Sequence, residues 1–206
     1  ENLGNTLSGK YLYFTNGGTL DTTATITFYT RLFSLGSGGG VFRVSTSTTL
    51  TTGANNGVNT PGYILGTGGL TKTGGGTLVL EGQNTYTGDT TISSGELRIN
   101  SVLATESNVL VNAGILSGGG TFAGTVTVAG GASIQAGSGS GDAGVLNTGA
   151  ITFANSAAKL IVRSDGATTN QVDSAGSIAM NGLTVDVLDA LPKGTFDILA
   201  GNSRSE

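Results

Sequence analysis

The side chains whose types and spacing could do chemistry are few. Asp165 and Asp173 lie near Arg163, and Asp186 lies three residues from Asp189. Glycoside cleavage uses two carboxylates facing one bond, roughly 5–10 Å apart, and an acid beside a base serves lyase chemistry. Asp186 alternates with Val185 and Val187, so it points outward from its strand. These acids read as solvated outward charges or corner residues, and no catalytic residue is assigned.

Other chemistries lack parts. The chain contains neither Cys nor His, so thiol nucleophiles, zinc–thiolate sites and imidazole bases are excluded. Serine hydroxyls have no His and no S-x-x-K arrangement to activate them. Gly137–Gly144, GSGSGDAG, holds one Asp among glycines. A calcium array needs GGxGxD repeated, so this stretch reads as a flexible corner. Lys72, in Thr71-Lys72-Thr73, reads as a structural corner residue. No cofactor and no metal is expected.

The elements that would carry these residues follow from composition. Of 206 residues, 37 are Gly and only 2 are Pro, and Thr is abundant. Gly supplies corners and Thr favours strands, so the excess of both predicts many short strands and tight turns. Without a strict three-residue period, the glycines are not collagen-like. The net charge of −4 argues against nucleic acid as a partner. No apolar run approaches the roughly 20 residues of a membrane helix. The chain opens at Glu1 without Met or signal peptide, which predicts a processed product or an excised piece.

Alternation supplies the pattern. Thr77–Leu80 and Glu96–Ile99 each carry an apolar residue at every second position, between Gly-rich corners at 74–76, 82, 88 and 95. Val41–Val44, Val109–Val111, Thr125–Val128, Ile151–Phe153, Lys159–Val162 and Leu183–Leu188 read likewise. Ser101–Ser107 could form one helical turn, and Asn55–Gly62 a bulging loop. No helix-period run long enough for a crossover appears, which disfavours parallel α/β folds. The fold expected is all-β, a right-handed parallel β-helix (β-solenoid) in which each coil buries its inward residues on its neighbours. Leu78, Leu80, Leu97, Ile99, Val126, Val128, Val185 and Val187 are expected in one core, with Thr77, Glu96, Arg98, Thr127 and Asp186 outside. Glu81, Asp89, Glu96 and Arg98 are expected outward and able to pair across coils.

One solenoid over residues 1–206 is expected. Residues 1–42 would form aromatic-rich N-terminal coils or a cap, and 150–201 wider C-terminal coils. Tyr11, Tyr13, Phe14, Phe28, Tyr29, Phe33 and Phe42 crowd the first end, either as a bulkier core or as a docking surface.

Residues 68–100 resemble the autotransporter-associated β-strand repeat. The resemblance rests on Gly69-Leu70, Lys72, Gly74, Gly76-Thr77-Leu78, Leu80, Gly82, Asn84, Tyr86, Gly88, Thr90, Gly95 and Leu97. Looser passenger-like patterns occur at Gly17–Asp21 and Asn170–Gly201. The resemblance implies a β-helix exported to the bacterial surface or outside the cell. The function expected is non-enzymatic: a stalk, adhesin or self-assembling fibre subunit. The alternative is a carbohydrate-binding or carbohydrate-active β-helix. The partners expected are other copies of the chain, through solenoid ends presenting Tyr11, Tyr13, Phe14, Phe196 and Ile198; such a passenger also admits a cell-surface or matrix ligand.

Overall fold

In the computed structural model, the described residues are 11–54, 62–104, 107–138, 144–164, 169–188 and 199–205, the last stretch by its backbone. Their strands are, in order, β1 (Tyr11–Phe14), β2 (Gly18–Thr22), β3 (Ile26–Phe28), β4 (Leu32–Leu35), β5 (Gly40–Val44), β6 (Thr49–Thr52) and β7 (Ile64–Gly66). There follow β8 (Leu70–Thr73), β9 (Thr77–Leu80), β10 (Thr90–Ile92), β11 (Glu96–Ile99), β12 (Val109–Val111), β13 (Ile115–Ser117) and β14 (Val126–Val128). The last are β15 (Ser133–Ile134), β16 (Val145–Thr148), β17 (Ile151–Phe153), β18 (Lys159–Val162), β19 (Gln171–Ala179), β20 (Thr184–Val187) and β21 (Leu199–Ser205).

The strands pair in parallel with strands of neighbouring coils, most of them with one coil before and one after, so the chain is a β-solenoid. Face A is β1–β4–β7. Face B runs β2–β5–β8–β10–β12–β14–β17–β19, with β16 and β21 also on β19. Face C is one unbroken ladder, β3–β6–β9–β11–β13–β15–β18–β20. After β7, face A narrows to single bridges, Asn84 to Leu103, Val102 to Thr121 and Thr121 to Asn147. Ser101–Ser107 therefore holds bridges at Val102 and Leu103 where a helical turn was expected.

Register turns alternation into columns. On face C, Ile26, Leu50, Leu78, Leu97, Leu116, Ile134, Leu160 and Val185 stand one upon the next. On face B the column is Leu20, Phe42, Lys72, Ile92, Val111, Val128 and Phe153. Leu78, Leu80, Leu97, Ile99, Val126 and Val128 are fully buried, as the alternation requires. Thr77, Glu96, Arg98, Thr127 and Asp186 face outward and are half-buried. Val185 and Val187 are the correction: they hold inward positions on Leu160 and Val162 but are 46% and 51% exposed. The phase of the alternation holds; what is missing is a strand beyond β20, which ends face C among the described residues.

The coils change outline late in the chain. β16 and β17 lie on two faces, separated by Gly149 and Ala150. In the next coil β19 pairs with both, Val145–Thr148 meeting Gln171–Ser174 and Ile151 meeting Ile178. One strand thus spans what were two faces. The register of β19 against β21 shifts between Ser174 and Ser177, at the level of the lost corner. There the Ser174 hydroxyl donates to the Gly149 carbonyl at 2.7 Å.

Candidate functional site

The carboxylates are the first candidates. Asp165 and Asp189 lie outside the described residues, as does most of Gly137–Gly144. Asp186 pairs with Lys159 at 2.8 Å, on the adjacent coil. Glu81 accepts from Asn100 Nδ2 at 2.9 Å, and Asp89 from Asn108 Nδ2 at 3.1 Å. Glu96 accepts from Thr77 Oγ1 at 3.2 Å and Ser117 Oγ at 2.5 Å, one coil to either side. Arg98 closes on Glu96 within the same strand at 2.8 Å and donates to the Ser138 carbonyl at 3.0 Å. The outward acids thus act as rungs between coils. Among the described residues no group of three acidic side chains gathers to hold a metal.

The aromatic end divides by strand phase. Phe14 is buried and stacks on Phe42 at 5.1 Å, with Phe33 edge-on to Phe42 and Phe28 edge-on to Phe33, each at 5.6 Å. These rings form the bulkier core. Tyr11 and Tyr13 alternate with the inward Leu12 and Phe14, and they stack on each other outside at 5.5 Å. Tyr11, Tyr13 and Tyr29 are exposed, whereas Phe14 is occupied by its own core. Phe196 and Ile198 lie outside the described residues.

The densest polar arrangement is buried in residues 68–100. From Gly82 to Ile92 the even positions turn inward, which places Asn84, Tyr86 and Thr90 in the interior. Asn84 Oδ1 accepts from the Ile64 N–H at 3.0 Å, one coil back. Its Nδ2 donates to the Gly82 carbonyl at 2.6 Å and to Ser101 Oγ at 3.3 Å, one coil ahead.

Tyr86, Thr90 and Ser107 form a chain of hydroxyls, 2.7 Å and 3.2 Å apart, that ends on the Gly88 carbonyl at 2.9 Å. A hydroxyl has one proton to give. Ser107 spends its proton on Gly88, so Thr90 donates to Ser107 and Tyr86 donates to Thr90. Burial pushes the Tyr86 phenol up to about 12, while the Thr90 and Ser107 hydroxyls pull the other way.

Lys72 was expected at a corner. It lies instead within β8, pointing inward and fully buried between Phe42 and Ile92. Leu70 carries the signal that places it: two residues along a strand is the same face. Its Nζ reaches the corner beyond the strand end, donating to Thr73 O at 2.8 Å, Gly74 O at 2.8 Å and, in the next coil, Ser94 O at 3.1 Å. Three protons meet three acceptors. Burial pushes its ammonium down to about 8, against the attraction of Glu96. Gly74 and Gly95, at φ 75° and 71°, leave the room this needs. A Cβ on Gly95 would sit 2.8 Å from Lys72 Nζ, and one on Gly74 would strike the Val44 carbonyl.

Residues 70–99 match the Passenger-associated-transport-repeat family. Over 78 residues the chain is 41% identical to the adhesin BmaC autotransporter of Brucella suis biovar 1 (strain 1330). That stretch is 38% of this chain and 2% of the adhesin. Over 42 residues it is 57% and 55% identical to two extracellular serine proteases of Serratia marcescens. Each of those matches takes in 20% of this chain and 4% of the protease. The chain thus spans a small share of the length of these curated relatives. Within the passenger-associated-transport-repeat, Lys72, Asn84, Tyr86 and Thr90 all turn inward. These four polar side chains are internal fasteners, whereas Glu81, Gln83, Thr85, Thr87, Asp89 and Ser93 are exposed.

Proposed function

We propose that this chain is a non-enzymatic, structural length of a bacterial surface or secreted protein, a β-solenoid stalk that holds adhesive or self-associating parts away from their base. The observation that carries this reading is the use of Lys72, Asn84, Tyr86 and Thr90. Each is buried and bonded to the coils around it, so none is offered to a ligand. An adhesin and secreted proteases share local similarity with the chain, which suits a scaffold common to passengers of different activity. Stiffness comes from the ladder: coil-to-coil hydrogen bonds run along the axis, and the chain, which has no Cys, needs no disulfide.

The test is the purified chain in solution. At 4.7–4.9 Å per strand, the eight strands of face C give an axial length of roughly 35 Å. Small-angle scattering is expected to return a rigid particle with that ladder as its core, and incubation with a panel of polysaccharides and peptides is expected to leave them intact. Turnover of any of them, lost on Asp186→Asn or Glu96→Gln, would replace the stalk by an enzyme.

A further inference from the structure

The outer surface of face A differs from that of the other two faces. Its outward side chains in the first three coils are Tyr11 and Tyr13 on β1, Leu32 and Ser34 on β4, and Tyr63 and Leu65 at β7. Register places Leu32 beside Tyr11, and Ser34 between Tyr13 and Leu65. The Phe33 N–H donates to the Tyr63 carbonyl at 3.0 Å, which sets Tyr63 beside Leu32. The six side chains form two columns of three, and all but Ser34 are apolar or aromatic. Tyr11 is 43% exposed and Tyr13 68%. In the same coils the outward residues of face C are threonines, Thr27, Thr49 and Thr51, and those of face B include the ion pair of Asp21 with Arg43. One coil later the columns turn polar. The Thr85 N–H donates to the Ile64 carbonyl at 2.8 Å and the Thr87 N–H to the Gly66 carbonyl at 3.0 Å, so Gln83 follows Tyr63 and Thr85 follows Leu65, both exposed. A coil ahead of β1 would cover its edge and leave its outward side chains as they are.

We propose that this platform binds an uncharged polysaccharide lying along the solenoid axis. The C–H face of a sugar ring is apolar and suits aromatic rings, whose broad surfaces give many dispersive contacts. Its hydroxyls both donate and accept, as do the tyrosine phenols, Ser34, Gln83 and Thr85. Tyr11 and Tyr63 stand two strand spacings apart, about 9.5 Å, so one extended sugar chain reaches both. None of the six side chains is charged, which gives no advantage to an acidic or basic polymer. Size argues against a protein partner. Two columns three strands deep cover on the order of 200 Å², against about 800 Å² per partner in a stable protein interface. β4 has strands on both sides, so a peptide finds no free edge there to pair with. A polysaccharide of neutral sugars has no backbone amides to satisfy. The inference rests on the outward faces of the solenoid and not on the stalk reading: a stalk that binds no polysaccharide remains a stalk.

The test is native electrophoresis of the full 206-residue chain through gels that contain a polymer. The chain carries a net charge of −4, and Tyr→Ser changes leave it unaltered, so mobilities compare directly. Neutral hydroxyethyl cellulose or galactomannan is expected to retard the chain, whereas anionic alginate and gelatin are not. Tyr13→Ser, at an exposed position, and Tyr63→Ser are each expected to raise the polymer concentration for half-retardation at least fivefold, with circular dichroism unchanged. Leu110→Ser, which removes an exposed apolar side chain from face B, is expected to keep the native retardation. Free passage through both neutral polymers would overturn the proposal, as would retardation that survives both tyrosine changes. Retardation by gelatin alone, relieved by Tyr13→Ser, would give the platform to a peptide instead.

Discussion

Lys72 Nζ donates to the carbonyl oxygen of Ser94 across 3.1 Å, and Ser94 belongs to the corner of the following coil. The other two bonds of the same ammonium hold Thr73 and Gly74 in its own corner. One side chain thus fastens two successive corners from inside. Lys72→Ala leaves both a cavity and three carbonyls without their donor, and is expected to cost about 2–5 kcal/mol, the range of large-to-small core changes. Lys72→Met keeps most of the volume and loses the charged hydrogen bonds, which are worth about 1.5–3 kcal/mol. Urea denaturation of the two variants is expected to place Met between the native chain and Ala.

Stability against pH carries opposite signatures from two buried groups. Lys72 falls from its ordinary 10.5 to about 8 in the fold. Between those values the unfolded chain binds the proton more readily, so this group makes stability rise with pH from about 8 to 10.5. Tyr86 moves from 10 up to about 12. Its contribution is complete below pH 10 and is lost as pH climbs through 12. Melting temperatures measured from pH 7 to 12 are expected to lose their rise in Lys72→Met and part of their alkaline fall in Tyr86→Phe.

Leu80 and Glu81 are neighbours on opposite sides of the wall. Leu80 is fully buried, and Glu81 is exposed with one bond to Asn100. Leu80→Ala is expected to cost roughly 2–5 kcal/mol, and Glu81→Ala less than about 0.5 kcal/mol, as surface changes usually do. Equal shifts in chemical denaturation would contradict the inward and outward assignment.

Leu160 and Val185 test the same column at its closed and open positions. Leu160 is 1% exposed and Val185, standing on it, 46%. In dilute solution Leu160→Ala is expected to cost roughly 2–5 kcal/mol. Val185→Ala is expected to change stability by less than about 1 kcal/mol, since an exposed side chain has little burial to lose. A large effect of Val185→Ala in the monomer would mean that β20 is covered by the chain itself.

The sequence shows the columns because alternation is local: Leu78 and Leu80, or Leu97 and Ile99, declare their face within four residues. It also contained the inward placement of Lys72, two residues from Leu70, and of Asn84, Tyr86 and Thr90 on the even positions after Gly82. Their polarity hid it, since a polar residue in a Gly-rich stretch reads first as a corner or surface residue. Val185 was the opposite case. Its phase is legible from Val187 and Asp186, but burial depends on whether another coil lies beyond, and no local pattern encodes that. The hydroxyl chain from Tyr86 to Ser107 joins consecutive coils, so its partners become visible only once the pitch is known.

The single strand β19, lying along both β16 and β17, has a consequence for folding accuracy. A uniform solenoid is open to frame errors: shift it by one whole coil and apolar residues still fall on apolar residues. Here that translation fails, because it sets the uninterrupted β19 in the place of β16 and β17, where the coil turns a corner at Gly149 and Ala150 that β19 lacks. The change of outline therefore acts as an index mark. It gives a nearly periodic chain one absolute position from which every earlier turn can be counted.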